Sequence, residues 1–178
     1  MKRNILIAFA ASSLLFYSTQ EFALLNFSAG IPFSHTITGK YSDGREVKSD
    51  GVSGMFIQVG MPIFPGVGMD SYKTKLKDTT IELATMIYNL YYLLPIPIIN
   101  LPLGVGAGST ELKCDVCSSI FDKGSATQWY ASFGMPIIPL FDLHLSYRSV
   151  SSKIKVKGTS SEHDFSGNVM GLGIGFNF

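Results

Sequence analysis

Apolar and polar residues alternate with a period of two along most of this chain, which indicates β-strands with two chemically different faces. The alternation is clearest in the last eight residues, from Gly171 to Phe178. There the apolar face carries Leu172, Ile174, Phe176 and Phe178, and three glycines and Asn177 lie opposite. Strands of this kind separate two different environments.

The alternation predicts eight strands, an even number, and most of them are long enough to cross a bilayer at a tilt of about 45°. They comprise Leu25–Phe33, Met55–Ile63, Val67–Lys77, Thr80–Leu93, Leu101–Gly108, Trp129–Met135, Phe141–Val156 and a closing strand from Phe165. The aromatic, strictly alternating end suits the last strand of a bacterial outer-membrane barrel, whose outer face meets lipid. We therefore predict an all-β fold, an eight-stranded antiparallel up-and-down transmembrane β-barrel.

The connectors between these strands alternate between two kinds. One kind is polar or charged and comprises Gly39–Gly51, Lys77–Thr79, Ser109–Ser125 and Gly158–Asp164. The other kind is apolar with proline and comprises Phe64–Gly66, Pro95–Pro97 and Ile138–Pro139. Alternate connectors of an up-and-down barrel lie on the same side of the membrane, so we expect the polar set to be extracellular and the proline set periplasmic.

Composition agrees with a lipid-facing protein. The chain has 178 residues, enough for one domain, and only 15% of them are charged, against about 25% in typical soluble domains. The mean hydropathy is +0.27. The net charge of +1 without a basic cluster excludes nucleic acid as an expected partner.

The N-terminus has the layout of a secretory signal peptide. Lys2 and Arg3 precede an apolar run from Ile5 to Phe16, which is too short to span a bilayer as a helix. We expect residues 1–23 to be the signal peptide, with cleavage between Thr19 and Ala23, and residues 24–178 to form the barrel. An uncleaved membrane anchor is the alternative.

Export places the two cysteines, Cys114 and Cys117, in an oxidising compartment, so we expect a disulfide. A zinc site would need two further ligands, and only His163 is a candidate. We expect neither a metal nor a cofactor.

Two other architectures compete with this interpretation. The uncharged stretch from Leu83 to Leu103 is long enough for a transmembrane helix, but Pro95, Pro97 and Pro102 would each cost about 3 kcal/mol or more in a helix interior. A soluble eight-stranded barrel would instead bury its apolar face inside. The closing strand and the low charge favour the membrane.

Three stretches resemble the eight-stranded OmpA-type outer-membrane barrels. They are Gly60–Ile63, Gly134–Ile137 with the following Leu140–Leu143 and Tyr147, and the C-terminal Gly173, Phe176 and Phe178. The resemblance implies insertion by the barrel-assembly machinery, for which the last three residues would be the signal, and both termini in the periplasm. It departs at Gly171, where that signal prefers a polar residue. The expected partners are outer-membrane lipid and lipopolysaccharide, and we expect a monomer.

One strand carries the residue types of a hydrolase triad. Asp142, His144 and Ser146 share a face with Arg148, and the His-x-Ser pair resembles that of outer-membrane lipid A deacylases. However, residues i and i+2 lie about 6.5–7 Å apart along a strand, whereas proton transfer needs about 2.6–3.2 Å. The face opposite Leu143, Leu145 and Tyr147 also points to the lumen, away from lipid.

We therefore expect these residues to form a lumenal polar network, because eight strands enclose a space that side chains fill and buried charges are paired. Its members would be Asp142, His144, Ser146, Arg148, Glu82 and Asp70. Aromatic residues near strand ends are expected to form an interfacial girdle, comprising Tyr88, Tyr91, Tyr92, Trp129 and Tyr130.

The sequence thus predicts a barrel without enzymatic activity that has a structural or interaction role through its extracellular loops, with an unidentified extracellular ligand. The alternative is passage of small hydrophobic molecules, as in barrels of the OmpW type, through a cavity left by the glycines of the fifth and last strands. A lipid A-modifying hydrolase is the remaining alternative.

Overall fold

A computed structural model describes residues 25–61, 64–94, 96, 99–138 and 140–177. The signal peptide predicted at residues 1–23, and Phe178 of the expected assembly signal, lie outside the described residues. The strands are β1 (Asn26–Ile37), β2 (Ser49–Gly60), β3 (Gly66–Leu76), β4 (Glu82–Leu94), β5 (Leu101–Lys113), β6 (Gly124–Ile138), β7 (Phe141–Lys155), β8 (Glu162–Asp164) and β9 (Gly167–Asn177), with one helical turn, α1 (Cys117–Ile120).

The strands close into an antiparallel barrel. Strands β1 to β6 pair in chain order, β6 pairs with β7, β7 with β9, and β9 returns to β1. The short β8 adds only to the loop end of β7, where Ile154 lies opposite His163. Because β8 is not part of the ring, the barrel has eight strands, and the predicted fold is confirmed.

The helical alternative for Leu83 to Leu103 is wrong, because β4 and β5 occupy this stretch and pair along thirteen positions, from Glu82–Lys113 to Leu94–Leu101. No helix in the described part of the chain is long and apolar enough to cross a bilayer.

The strands extend further into the polar connectors than the sequence predicted. The fifth strand continues to Lys113, although Ser109–Ser125 was expected to be a loop. In this extension Thr110 and Leu112 are buried, while Lys113 is exposed and pairs with Glu111. The period of two therefore continues, but the polar residues are now on the outside.

The same reversal divides the barrel into two halves, and β7 shows it most clearly. In its first half the exposed residues are apolar, as at Leu143 and Leu145, and the buried ones are polar, as at His144. In its second half Lys153 is exposed and Ile154 is buried. We call these the membrane half and the loop half, since lipid is the solvent of an apolar outer wall and water that of a charged one.

An apolar core fills the loop half. The strand ends contribute Ile37, Leu76, Leu83, Leu112 and Ile154, and the connectors contribute Val47, Cys117 and Phe165. We call this set the loop-end core. The Cys114–Cys117 disulfide is present, and it holds the buried Cys117 in the core. The loop-end core closes the barrel on the side of the polar loops.

The two halves predict opposite responses to one substitution on the same face of β7. Leu145→Arg, in the membrane half, is expected to destabilise the barrel by roughly 2–4 kcal/mol, whereas Ser151→Arg, in the loop half, should cost about 0–1 kcal/mol. Denaturant unfolding of the protein refolded into lipid vesicles measures both. Equal costs at the two positions would show that the outer wall does not pass from lipid to water along β7.

Candidate functional site

An ion pair between opposite walls occupies the middle of the lumen. Arg148 of β7 donates from Nε to Oδ2 of Asp70 on β3 at 2.8 Å, and Nη2 lies 3.4 Å from Oδ1. Arg148 is 2% exposed and Asp70 is fully buried. Strands β3 and β7 lie four positions apart in the eight-stranded ring. The pair therefore ties together the two walls that are farthest apart.

Aromatic rings and amides complete the surroundings of this pair. The guanidinium carbon of Arg148 lies 3.5 Å from the ring centroid of Phe56 and 5.2 Å from that of Tyr130, so the cation faces two π systems. Nε2 of Gln128 donates to Asp70 at 2.5 Å and to Oδ1 of Asn89 at 2.6 Å. A buried ion pair is tolerated when further hydrogen bonds satisfy its remaining atoms, and these contacts supply several of them.

A second polar cluster lies at the end of the lumen towards the proline connectors. Asp142 accepts hydrogen bonds from the side-chain amides of Asn100 and, at 2.6 Å, of Asn177. Asn26 donates to Asn177 at 2.6 Å. The cluster joins β1, β7 and β9 with the residue that precedes β5. None of its asparagines was predicted to belong to the lumenal network, because their pairing depends on contacts across the lumen.

The triad residues do not form a catalytic arrangement. Oγ of Ser146 donates to the carbonyl oxygen of Gly171 at 3.2 Å and accepts from Nη1 of Arg148 at 2.5 Å. His144 lies near another hydroxyl, Oγ of Ser132, at 3.5 Å from Nδ1, and its Nε2 is 3.9 Å from Oδ2 of Asp142. Both separations exceed the 2.6–3.2 Å that proton transfer requires.

Two expectations about the lumen are wrong. Glu82 faces outward, where it lies 3.4 Å from Nζ of Lys73, because it is in phase with the exposed Tyr88 and not with the buried Leu83. Tyr91 and Tyr130 are buried in the lumen and do not belong to a girdle. Of the other residues expected in the girdle, Tyr88, Tyr92 and Trp129 are exposed on the outer wall.

The lumenal glycines leave no passage, because neighbouring groups fill the space beside them. A Cβ atom at Gly104 would meet the ring of Tyr130, and one at Gly106 would meet the side chain of Asn89. At Gly175 the imidazole of His144 occupies this position. Beside Ser28, Ser146 and Arg148 a cavity of about 20 Å³ remains, which is room for about one water molecule.

The C-terminal strand places its aromatic residue against the outer wall. Phe176 pairs with Phe27 on one side and Phe141 on the other, at ring-centroid distances of 6.3 and 4.8 Å. Gly173 lies opposite Gly30 of β1, and a Cβ atom there would meet the β1 backbone. Gly173 thus permits close approach of the two strands that close the ring.

No group of three or more histidine, cysteine or acidic side chains with the geometry of a metal site occurs among the described residues.

Solved structures that share this fold include two small outer-membrane proteins. The crystal structure of Neisserial surface protein A matches with a TM-score of 0.64 at 13% identity, over 86% of this chain and 97% of that one. The outer-membrane protein AlkL, solved by solid-state NMR in DMPC bilayers, matches with a TM-score of 0.50 at 13% identity, over 86% and 90%. No family model matches the chain, and no curated protein sequence is significantly similar to it.

The fold is therefore that of the small eight-stranded outer-membrane barrels, and membership of the OmpA type specifically stays a prediction. Together with the apolar outer wall of the membrane half, this fold places the protein in the bacterial outer membrane.

The central ion pair predicts strongly non-additive stability effects. Asp70→Ala leaves Arg148 buried without its partner and should destabilise the barrel by about 3–5 kcal/mol. The double variant Asp70→Leu/Arg148→Met, which removes both charges, should recover most of this loss. Denaturant unfolding, monitored by the heat-dependent mobility of the barrel on gels, gives the free energies of unfolding of the wild type and of the two variants. A double variant no more stable than Asp70→Ala would contradict the assignment.

Proposed function

We propose that this protein is a small outer-membrane barrel with a closed lumen, which acts through its extracellular loop surface in a structural or interaction role and not as a channel or an enzyme. The observation that carries the proposal is the filling of the lumen. The loop-end core closes one half, and the Arg148–Asp70 pair and the polar cluster around Asp142 fill the rest of the lumen.

The connectors are organised, as a binding surface requires. The amide of Ser42 in the first polar connector donates to Nδ1 of His163 in the last at 2.9 Å. The His163 ring also packs against Tyr41, Phe121 and Phe165 at centroid distances of 5.5 to 6.3 Å. Three polar connectors thus meet at one imidazole. A preorganised surface loses less conformational entropy when it binds.

The turn of the first connector has its own constraint. The carboxylate of Asp43 accepts from the backbone amide of Arg45 at 3.0 Å and from its Nε at 2.6 Å. These two hydrogen bonds lower the pKa of Asp43 below its usual value. An aspartate is ionised at neutral pH in any case, and the lowered pKa keeps the Asp43 carboxylate ionised and bonded to Arg45 at more acidic pH.

The connector between β5 and β6 presents apolar side chains to water. Val116 is 58% exposed and Ile120 is 43% exposed. Their backbone is fixed by the disulfide and by Lys157, whose Nζ donates to the carbonyl oxygen of Ser118 at 2.7 Å. Apolar groups held rigidly in water are suited to a protein contact, and we take them as the centre of the interaction surface.

Passage of small hydrophobic molecules is the second candidate, because the glycines of β5 and β9 suggested a cavity in the lumen. The positions of Tyr130, Asn89 and His144 beside the glycines argue against it. A hydrolase is disfavoured because the 20 Å³ cavity beside Ser132, His144 and Ser146 admits no lipid substrate.

A closed lumen predicts no steady ionic conductance when the purified protein is inserted into planar bilayers. A large porin in the same bilayers provides the positive control, and heat-dependent gel mobility verifies that the barrel is folded. A stable open channel, or a saturable flux of a small hydrophobic solute into vesicles containing the protein, would overturn the proposal.

The loop surface predicts that Val116→Ser/Ile120→Ser abolishes adhesion conferred by the protein while leaving the barrel folded. The matched control is Ser119→Ala, in the same helical turn, which should leave adhesion unchanged. The measurement is binding of cells displaying each variant to a panel of host-cell and matrix-coated surfaces, compared with cells lacking the protein. Equal adhesion with and without the protein would count against an interaction role on these surfaces.

A further inference from the structure

The outward face of β7 carries four kinds of side chain in order of decreasing polarity, from the loop end to the opposite end. Lys153 comes first, then the hydroxyls of Ser151 and Ser149, then the aromatic Tyr147, and then Leu145. The neighbouring strands show the same change from polar to apolar residues, without the lysine. Thr127 and Trp129 lie beside β7 on β6, and Asn168, Met170 and Leu172 lie beside it on β9. The outer wall therefore passes from charged to polar to apolar residues in the same order as the headgroup and acyl chains of an amphiphilic lipid.

An open recess of about 410 Å³ lies at the hydroxyl level of this wall. Its lining includes Thr38, Thr127, Trp129, Ser149, Ser151 and Asn168. The recess occurs where the pairing of β7 is interrupted. Val150 pairs with Gly167 of β9, whereas Lys153 pairs with Asp164 of β8. Between them the backbone amide of Ser152 donates to Oγ of Ser166. The regular backbone pairing between β7 and its neighbour is therefore broken at this position.

Aromatic rings mark the lower border of the recess. Trp129 and Tyr147 lie 5.7 Å apart, with 53% and 39% of their surfaces exposed. Tryptophan and tyrosine favour the level of lipid headgroups. Below them Leu145 and Leu172 face lipid with nearly half of their surfaces exposed. The recess therefore lies at the height of headgroups, directly above an acyl-chain surface.

The charge at the upper border is available to an anion. Lys153 is exposed and forms no salt bridge among the described residues, whereas Lys155, two positions along, lies 3.4 Å from Glu162. A lysine near a membrane surface contributes about 1 kcal/mol to the attraction of anionic lipid. Hydroxyls, an amide and an indole beside this cation are groups that hydrogen-bond and stack against sugars.

We propose that the outer wall of β6, β7 and β9 is a binding site for a phosphorylated glycolipid of the outer leaflet. The sugar headgroup occupies the recess, its phosphate faces Lys153, and the acyl chains lie along Leu145 and Leu172. The site is on the outer wall, and it is independent of the role proposed for the loops.

The opposite wall supplies matched controls. Strand β3 lies four positions from β7 in the ring. It carries Lys75, which is exposed and forms no salt bridge within the described part of the chain, and the outward Ser71. These two residues have the chemistry of Lys153 and Ser149 and lie as far from the recess as the barrel allows.

The test is native mass spectrometry of the full barrel released from micelles that contain diphosphoryl lipid A as the probe. Lys153→Ala is expected to reduce the apparent association constant about fivefold, the equivalent of one lysine at a lipid surface, and Lys75→Ala should leave it unchanged. Ser149→Leu/Ser151→Leu should abolish binding by filling the recess, and Ser71→Leu should not. Dephosphorylated lipid A should bind weakly and be insensitive to Lys153→Ala.

Equal losses from Lys153→Ala and Lys75→Ala would show unspecific attraction to charge and overturn the proposal. Unchanged binding in the folded Ser149→Leu/Ser151→Leu variant would also overturn it. If heat-dependent gel mobility shows that this double variant does not fold, Asn168→Ala takes its place, and it must weaken binding while Ser71→Ala does not.

Discussion

The structure depends on one constraint, which is that the solvent of the outer wall changes from lipid to water partway up the barrel, as the residues of β5 and β7 show. In the membrane half the exposed residues are apolar and the lumen holds the polar ones, as Leu145 and His144 show. In the loop half Lys153 is exposed and Ile154 is buried, as in a water-soluble barrel. The two architectures that compete in the sequence thus occupy two ends of one barrel, because each buries its apolar surface away from water.

The central ion pair lies where these two halves meet. Arg148 is the last polar lumenal residue of β7 before Val150, and its partner Asp70 precedes Tyr72 on β3. Above the pair the lumen is closed by apolar packing, which is non-directional. Below it the lumen is filled by hydrogen bonds among Asp142, Asn100 and Asn177, which need defined geometry. The Arg148–Asp70 pair therefore lies between the loop-end core, whose apolar contacts are non-directional, and the Asp142 cluster, whose hydrogen bonds require a defined geometry.

The period of two was sufficient to predict the fold, because each residue of a strand must face either the lumen or the outside. The phase reversal at Ser149 and Val150 was not predicted. The polar outward residues of the loop halves resemble loop sequence, so the fifth strand was predicted to end at Gly108 and not at Lys113. The partners of the lumenal charges were not predictable. The partner that Arg148 meets across the lumen depends on the stagger between strands, which alternation does not specify, whereas the outward direction of Glu82 follows from its phase with Tyr88.

The reversal of polarity also fixes how deeply the barrel sits in the bilayer. Movement inward would carry Lys153 and Lys75 into hydrocarbon, and movement outward would expose Leu145 and Leu172 to water. Both displacements are opposed on every side of the ring, so the height of the loop surface above the lipid is set by the strands themselves. A barrel with a uniform outer wall would have no preferred depth in the bilayer, and neighbouring membrane proteins would contact it at varying heights.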